Sequence, residues 1–463
     1  VFYYDKDQGV LTGIDAENAG QGEDAKNLKR GIKMELTDTS AIFRADGKTF
    51  KARDVAACIL GGLVKEAKDE MTRLAITEDL EGCVVSVPAA FSLSEKTFIK
   101  EALETPPKKG GPGLKVWGFI KEPVAAAISY FNDSYEKDAT VLVFDLGGGT
   151  CDVAIVAADD SHDIKYDVID TTMERIGGRQ WDEVLIDYVT NELRVQGIRT
   201  DFRKKGNEGL LEVVRRAVID GKHKLSRIPK TSIQILLDGK TYRVEISREK
   251  FDDITKSLRD DAIAAATRLV SRNSETQIDY IILVGGASNM PQIAEGIRAA
   301  FPKIDEKSVL IYEPEKAISF GAAIFANALS LPHALVNDIA THSYGCGYFE
   351  ETAEPDEQER VENLIKKDSR FPVKGSTILQ YRKNNLTEFS VPLFETEDYN
   401  GANYAQKDAT QIGSVEIYEL HSVAKGGLVY LTMSIDAQGI MRAKILDKKT
   451  MKTGEAAINL FGH

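Results

Sequence analysis

Cysteine is scarce. Cys58, Cys83, Cys151 and Cys346 are scattered over 463 residues, and no two of them make a C-x-x-C spacing. That spacing speaks against a disulfide framework and a zinc site and favours free thiols in a reducing compartment, so the cytoplasm is the expected location. No apolar run approaches the ~20 residues of a membrane span, and no signal peptide is legible. A positive surplus is missing as well. Lys and Arg number 59 against 72 Asp and Glu, a formal net charge of −13. This argues against non-specific nucleic-acid binding and for solubility. Neither nucleic acid nor a membrane is an expected partner.

What remains is an ordinary soluble composition, 43% hydrophobic and 28% charged, in a chain long enough for two or three domains. Its most informative stretch is Val141–Val156, VLVFDLGGGTCDVAIV. Two short β-branched runs, Val141–Phe144 and Val153–Val156, read as buried strands around Asp145-Leu146-Gly147-Gly148-Gly149-Thr150. Three glycines let the backbone take positive φ and gather N–H groups around one point, a nest suited to a phosphate. Thr150 adds a hydroxyl at the rim, and Asp145 can hold a magnesium ion directly or through water. A ligand-free hairpin is the competing reading, although an ordinary hairpin needs one glycine rather than three.

Before this stretch, Gly20–Ala25 formally fits a dinucleotide fingerprint, but no strand is expected ahead of it and acidic residues fill it; it reads as a helix start. Hairpins turn on Asp46-Gly47 within Ala41–Phe50 and on Asp238-Gly239 within Ile233–Ile246. Both carry Gly-Lys-Thr, yet Ile42 and Gln234 stand where a P-loop needs its first glycine. Helices are expected over Ala52–Ala75, Ser94–Leu103 and Val124–Phe131, alternating with strands Gly82–Val87 and Leu114–Ile120, an α/β order. Beyond the glycine bend come strand Ile164–Thr171, the turn Ile176-Gly177-Gly178, and helices Trp181–Leu193, Leu210–Leu225 and Phe251–Ser271. Strand Ile281–Val284 runs into Gly285-Gly286-Ala287-Ser288, with Pro291 opening the next helix. This is either a second nucleotide-sized feature or a tight packing turn. An alanine-rich helix spans Glu315–Leu331, a linker follows, and the pattern then turns all-β, with Leu428–Ile435 and Ile440–Leu446 paired across Ala437–Gly439.

Taken together, these motifs resemble the seventy-kilodalton heat-shock chaperones of the actin-like ATPase fold. VFDLGGGTCDVAIV is similar to the family's second phosphate loop, KEPVAAAISY to its connecting helix and IGGRQWD to a glycine turn before a helix of the second lobe. ILVGGASNMP is similar to its adenosine motif, and SIDAQGIMRAKILDKKTMKTGE to the last strands of its peptide-binding β-sandwich. The resemblance implies an α/β, actin-like (ribonuclease H-like) two-lobed ATPase domain over residues 1–331, with lobe I to about 140 and lobe II from about 141. A linker over 332–340 and an all-β sandwich over 341–463 would follow.

Residue by residue, the resemblance implies ATP or ADP with Mg²⁺. Gly147, Gly148, Gly149 and Thr150 would face the phosphates, while Asp145 and Glu122 serve the metal and the attacking water. Lys33 would support hydrolysis. Gly177, Gly178, Lys222, His223, Ser226, Gly285, Gly286, Ala287, Asn289 and Glu315 would enclose the nucleotide, with Lys222 and Ser226 at the edge of the ribose or base. Pro88 and Lys96 match a proline–arginine relay to the linker, with lysine in place of arginine. Leu379, Phe389 and Val391 would line a cleft for an extended apolar peptide, although sandwich core is an open alternative for each. Unfolded segments, a J-domain co-chaperone and a nucleotide exchange factor are the implied partners.

The departures matter too. His223 and Asn289 stand where arginines frame the adenine, and Ile219 where a glutamate binds ribose. The family's first phosphate loop, an Asp-Leu-Gly-Thr-Thr hairpin, and its helical lid have no counterpart, so a longer gene product is expected. Losing about three charge-assisted hydrogen bonds of roughly 1.5–3 kcal/mol each would offset most of the ~8 kcal/mol of a micromolar ligand. Weak nucleotide binding is therefore the expectation for this chain. Three functions are in play: an ATP-driven peptide chaperone, a non-hydrolysing scaffold or exchange partner, and a filament protein, in which the β-domain would have no place.

Overall fold

The computed structural model describes residues 1–36, 42–109, 111–134, 138–159, 166–329, 336–351, 358–397, 404–420, 423–436 and 439–460. Expected features at 164–165, 332–335 and 437–438 lie outside the described residues.

Alternation sets the centre of the molecule. Along Thr140–Leu146, Leu142, Phe144 and Leu146 enter one core and Val141 and Val143 another, all fully buried. A strand covered on both faces belongs inside a sheet with helices on either side. It is central to a six-stranded sheet ordered Val309–Ile311, Tyr280–Val284, Thr140–Leu146, Cys151–Ala158, Tyr166–Glu174, Val336–Asn337. The partner Tyr280–Val284 is parallel and the hairpin partner Cys151–Ala158 antiparallel. Helices Gly178–Val195, Glu208–Leu225, Lys256–Arg272 and Pro291–Ala300 cover one face; Glu122–Asp133 and Ala317–Ala328 cover the other.

The first part of the chain builds smaller pieces. The antiparallel strands Phe2–Asp5 and Gly9–Thr12 are joined by Leu28–Lys29. A hairpin pairs Ile42–Ala45 with Lys48–Lys51, and Gly82–Val87 runs parallel to Lys115–Lys121. Strands therefore do precede Gly20–Ala25, which lies in a 3₁₀ turn over Gly22–Asn27 after the short helix Gly13–Ala19. Two further expectations are corrected. The helix expected over Phe251–Ser271 is two, Arg248–Ile254 and Lys256–Arg272, divided where the Thr255 hydroxyl bonds the Phe251 carbonyl at 2.8 Å. The helix expected from Glu315 begins at Ala317, because Glu313 turns to φ +35° ahead of Pro314.

From Ser343 onward two sheets face each other. One orders Tyr404–Ala405, Glu359–Ile365, Ser343–Phe349, Glu388–Thr396 and Thr410–Tyr418; the other orders Val373–Gln380, Leu428–Ile435, Ile440–Asp447 and Thr453–Asn459. Leu431, Met433 and Ile435 meet Tyr344, Leu393 and Ile417 in their shared core. This is the all-β sandwich, and the chain as a whole is α/β followed by all-β.

The sandwich is tied to the α/β part by buried polar contacts. Val336–Asn337, within the expected linker, pairs in parallel with Tyr166–Asp167 at the sheet edge. Lys121 Nζ donates to Asp338 Oδ1 at 2.6 Å and to the Ile339 carbonyl at 3.1 Å. At the N-terminus of the helix Leu93–Glu104, Leu93 N–H donates to Glu395 at 3.1 Å, and Lys96 Nζ reaches the Leu460 carbonyl at 3.3 Å. Burial, reinforced by Lys121, brings the Lys96 amine down to about 8. Among the described residues no helix is long and apolar enough to cross a membrane.

Candidate functional site: a glycine bend, a carboxylate cluster and a cavity

The strand Thr140–Leu146 ends in the bend Gly147–Thr150, closed by Gly147 N–H donating to the Thr150 carbonyl at 3.0 Å. None of the three glycines has a positive φ, contrary to expectation. The absent side chains matter for space instead: a β-carbon on Gly148 would meet nothing within 4 Å, whereas one on Gly177 would lie 2.4 Å from Gly149 N. The bend is thus open in front and backed by Gly177. Its carbonyls are taken from behind, Gly147 by Gly178 N–H at 2.9 Å and Gly148 by Arg179 N–H at 3.0 Å. Among the described residues no acceptor takes the N–H of Gly148 or Gly149.

Beneath the bend lies a cluster of acids. Asp145 is 3% exposed and Asp152 fully buried; among the described residues Asp145 Oδ1 and Asp152 Oδ2 have no hydrogen-bond partner. Burial, with Glu122 and Asp152 adding to it, holds the Asp145 carboxyl well above the ordinary carboxylate range. Burial and then Glu122 push Asp152 up to about 7, against the pull of Ala89 N–H at 2.6 Å and the Thr150 hydroxyl. Glu122, first residue of the helix Glu122–Asp133, accepts from Lys33 Nζ at 2.7 Å. The expected Lys33, Glu122, Asp145 and Thr150 therefore come together, with Asp152 as an unforeseen fifth member. Gly285 fits against them at φ +80°, where a β-carbon would lie 2.4 Å from both Asp145 Oδ1 and the Leu146 carbonyl.

Two orphaned oxygens in an all-oxygen donor set suit a hard cation. Among the described residues no three Asp, Glu, His or Cys side chains stand in ligating positions.

In front of the bend opens a cavity of about 640 Å³. Gly147, Gly148, Gly178, Lys222, His223, Ser226, Gly286, Ala287, Asn289 and Glu315 line it, ten of the expected residues from five separate parts of the sequence. Gly149, Thr150, Gly177 and Gly285 do not line it: Gly149 and Thr150 are in the bend itself, and Gly177 and Gly285 pack against it and its strand. Lys222 is 8% exposed and tied to Asp182 at 2.7 Å and to the Gly178 carbonyl at 3.1 Å, so part of its donor capacity is already used. Asn289 is exposed, its amide donating to the Gly286 carbonyl at 3.2 Å.

The sequence profile of the family described as Hsp70 protein matches residues 11–461, nearly the whole chain. The chain belongs to the Hsp70 family. It is similar to a chaperone protein DnaK of Mycoplasmopsis pulmonis, 27% identical over 91% of this chain and 67% of that protein. It is also similar to a heat shock 70 kDa protein of Neurospora crassa, 28% identical over 90% of this chain and 62% of that protein. The chain thus spans about two thirds of the length of these relatives.

In this Hsp70-family chain the cavity also takes in Arg179, Asp182, Arg227, Met290, Glu313, Pro314 and Lys316, which the sequence reading did not assign. Asp182 could have been found, since a buried lysine such as Lys222 requires a carboxylate, and Asp182 stands four residues after Gly178 on the inner side of its helix. The sandwich holds a second cavity, of about 710 Å³, and Leu379, Phe389 and Val391 all border it. Val391 is also 1% exposed and part of the sandwich core, while Leu379 and Phe389 are half-buried. Tyr381 packs edge-on against Phe389 with centroids 5.0 Å apart, and Arg382 lies 3.5 Å over the Phe349 ring, spanning the two sheets.

Proposed function

We propose that this chain carries the nucleotide-binding and peptide-binding parts of an ATP-dependent chaperone. The observation that supports this best is the bend Gly147–Thr150. Gly148 lines a nucleotide-sized cavity, the N–H groups of Gly148 and Gly149 meet no acceptor among the described residues, and two buried carboxyl oxygens beneath the bend have no hydrogen-bond partner among them. On this reading residues 1–331 form the two-lobed ATPase domain, 332–340 the linker and 341–463 the peptide-binding sandwich. The N–H groups of Gly148 and Gly149 donate to phosphate oxygens. Lys222, His223, Ser226, Gly286, Ala287 and Asn289 enclose the nucleoside. Asp145, with Glu122 nearby, would hold Mg²⁺, which would supply neutralising charge to the phosphates. Glu122, aligned by Lys33, orients the attacking water, and positioning does most of the work.

The cavity bordered by Leu379, Phe389 and Val391 would take an extended apolar segment of an unfolded protein, with backbone hydrogen bonds giving affinity and pockets giving preference. A J-domain co-chaperone and a nucleotide exchange factor are the natural partners of such a cycle. The free thiols suit a cytoplasmic setting. The relatives' names, a DnaK and a 70 kDa heat shock protein, support the chaperone reading. His223 and Asn289 in the cavity favour the second reading, a non-hydrolysing scaffold or exchange partner. Steady-state phosphate release separates the two. Release that Asp145→Asn abolishes supports the chaperone ATPase; no release, or release that the variant leaves unchanged, removes it.

A further inference from the structure

Near the glycine bend, cations are matched to carboxylates. Lys33 holds Glu122 and Lys222 holds Asp182, each at 2.7 Å, while Arg30 reaches Glu17 at 2.8 Å and Glu212 at 2.7 Å. Arg179 differs: among the described residues no carboxylate stands within ion-pair distance of its guanidinium, which faces the cavity. Among the described residues Arg227 and Lys316 have no ion-pair partner either, but they lie after the helix Glu208–Leu225 and before the helix Ala317–Ala328, away from the bend in the chain.

The backbone fixes where Arg179 starts. Its N–H donates to the Gly148 carbonyl at 3.0 Å, so the residue is stitched to the same bend whose front N–H groups are free. Its side chain then crosses to the first part of the chain and lies on Gly31, where a β-carbon would come 2.2 Å from Nη1. Gly31 has φ +72°, and it stands two residues before Lys33. A guanidinium with no counter-charge is thereby held between the phosphate-facing bend and the segment that carries Lys33.

We propose that Arg179 anchors the phosphates of the bound nucleotide. The guanidinium takes two phosphate oxygens in its fork, and its stem spans from the bend to Gly31, so that binding the phosphates draws the two sides of the cleft together. This rests on the nucleotide reading above and adds a residue to it.

The test is calorimetric titration of the full chain with adenosine, ADP, ATP and inorganic tripolyphosphate. Wild type is compared with Arg179→Gln, Arg179→Lys and, as a charge control, Arg203→Gln, whose side chain pairs with Glu183 and Asp187 outside the cavity. Circular dichroism confirms that each variant is folded. Arg179→Gln should weaken ADP, ATP and tripolyphosphate at least tenfold and adenosine less than twofold. Arg179→Lys should recover part of that loss, and Arg203→Gln should bind like wild type. If wild type binds ATP and Arg179→Gln binds it equally well, or loses adenosine as much as ATP, the proposal fails while the nucleotide reading stands. If wild type binds none of the four ligands, both fail.

Discussion

Asp152 is a buried acid with one oxygen bonded and one orphaned, and its titration gives a direct handle on the cluster. The folded chain keeps its proton up to about pH 7, whereas an unfolded aspartate loses it near pH 4. Between those values the folded state binds more protons, so this group's contribution to stability is present below about pH 4 and is lost as pH rises through about 7. The expected result is a melting temperature that falls from pH 5 to pH 8 in wild type. In Asp152→Asn the fall should be smaller by several degrees, as read by calorimetry without added metal. Equal slopes would count against the cluster as drawn. Legibility at this scale was uneven. Glu122, Asp145 and Thr150 could be assigned because the motifs place them by spacing. Asp152 and Arg179 could not, because a side chain's role there depends on which neighbours fold onto it from Ala89 and Gly31.

Among the elements, the contact between two strands sets the site. Tyr280–Val284 lies parallel to Thr140–Leu146, and Gly285 lets the chain pass within contact of Asp145 and the Leu146 carbonyl. Gly285→Ala adds a side chain at a left-handed φ and against backbone. It should destabilise the chain by about 1–3 kcal/mol in urea unfolding and displace the acids beneath the bend. Wild-type stability would show that the contact is looser than described. Long periodic helices and continuous apolar strands were legible, since burial on one or both faces writes itself into the spacing of Leu, Ile and Val. Four-residue strands such as Phe2–Asp5 were not, because too few residues repeat to betray a period. The break at Thr255 depends on a hydroxyl turning onto the Phe251 carbonyl, a choice that periodicity does not record.

At the scale of the molecule, Lys121 and Asp338 join the sandwich to the α/β part through a buried pair, with Lys121 3% exposed. Lys121→Ala strands a buried carboxylate and should cost about 3–5 kcal/mol of docking, seen as faster hydrogen exchange over Val336–Asn337. Lys121→Met combined with Asp338→Leu should recover much of that protection, because replacing both charges removes the stranded one. If the double variant exchanges as fast as Lys121→Ala, the pair is not what holds the sandwich. The order of α/β and all-β parts was legible from composition and pattern. The docking itself was not: Lys96 was singled out only through the resemblance, and Lys121 and Glu395 look like ordinary surface charges until the two parts are placed together.

The proposed ATP-dependent chaperone function requires that nucleotide beside the glycine bend change the affinity for peptide at the sandwich cavity. The most direct measurement is the anisotropy of a fluorescent apolar peptide titrated with the full chain, with and without millimolar ATP and Mg²⁺. A peptide Kd that shifts at least about fivefold with nucleotide is the predicted result. Peptide binding of the same affinity in both conditions would contradict it.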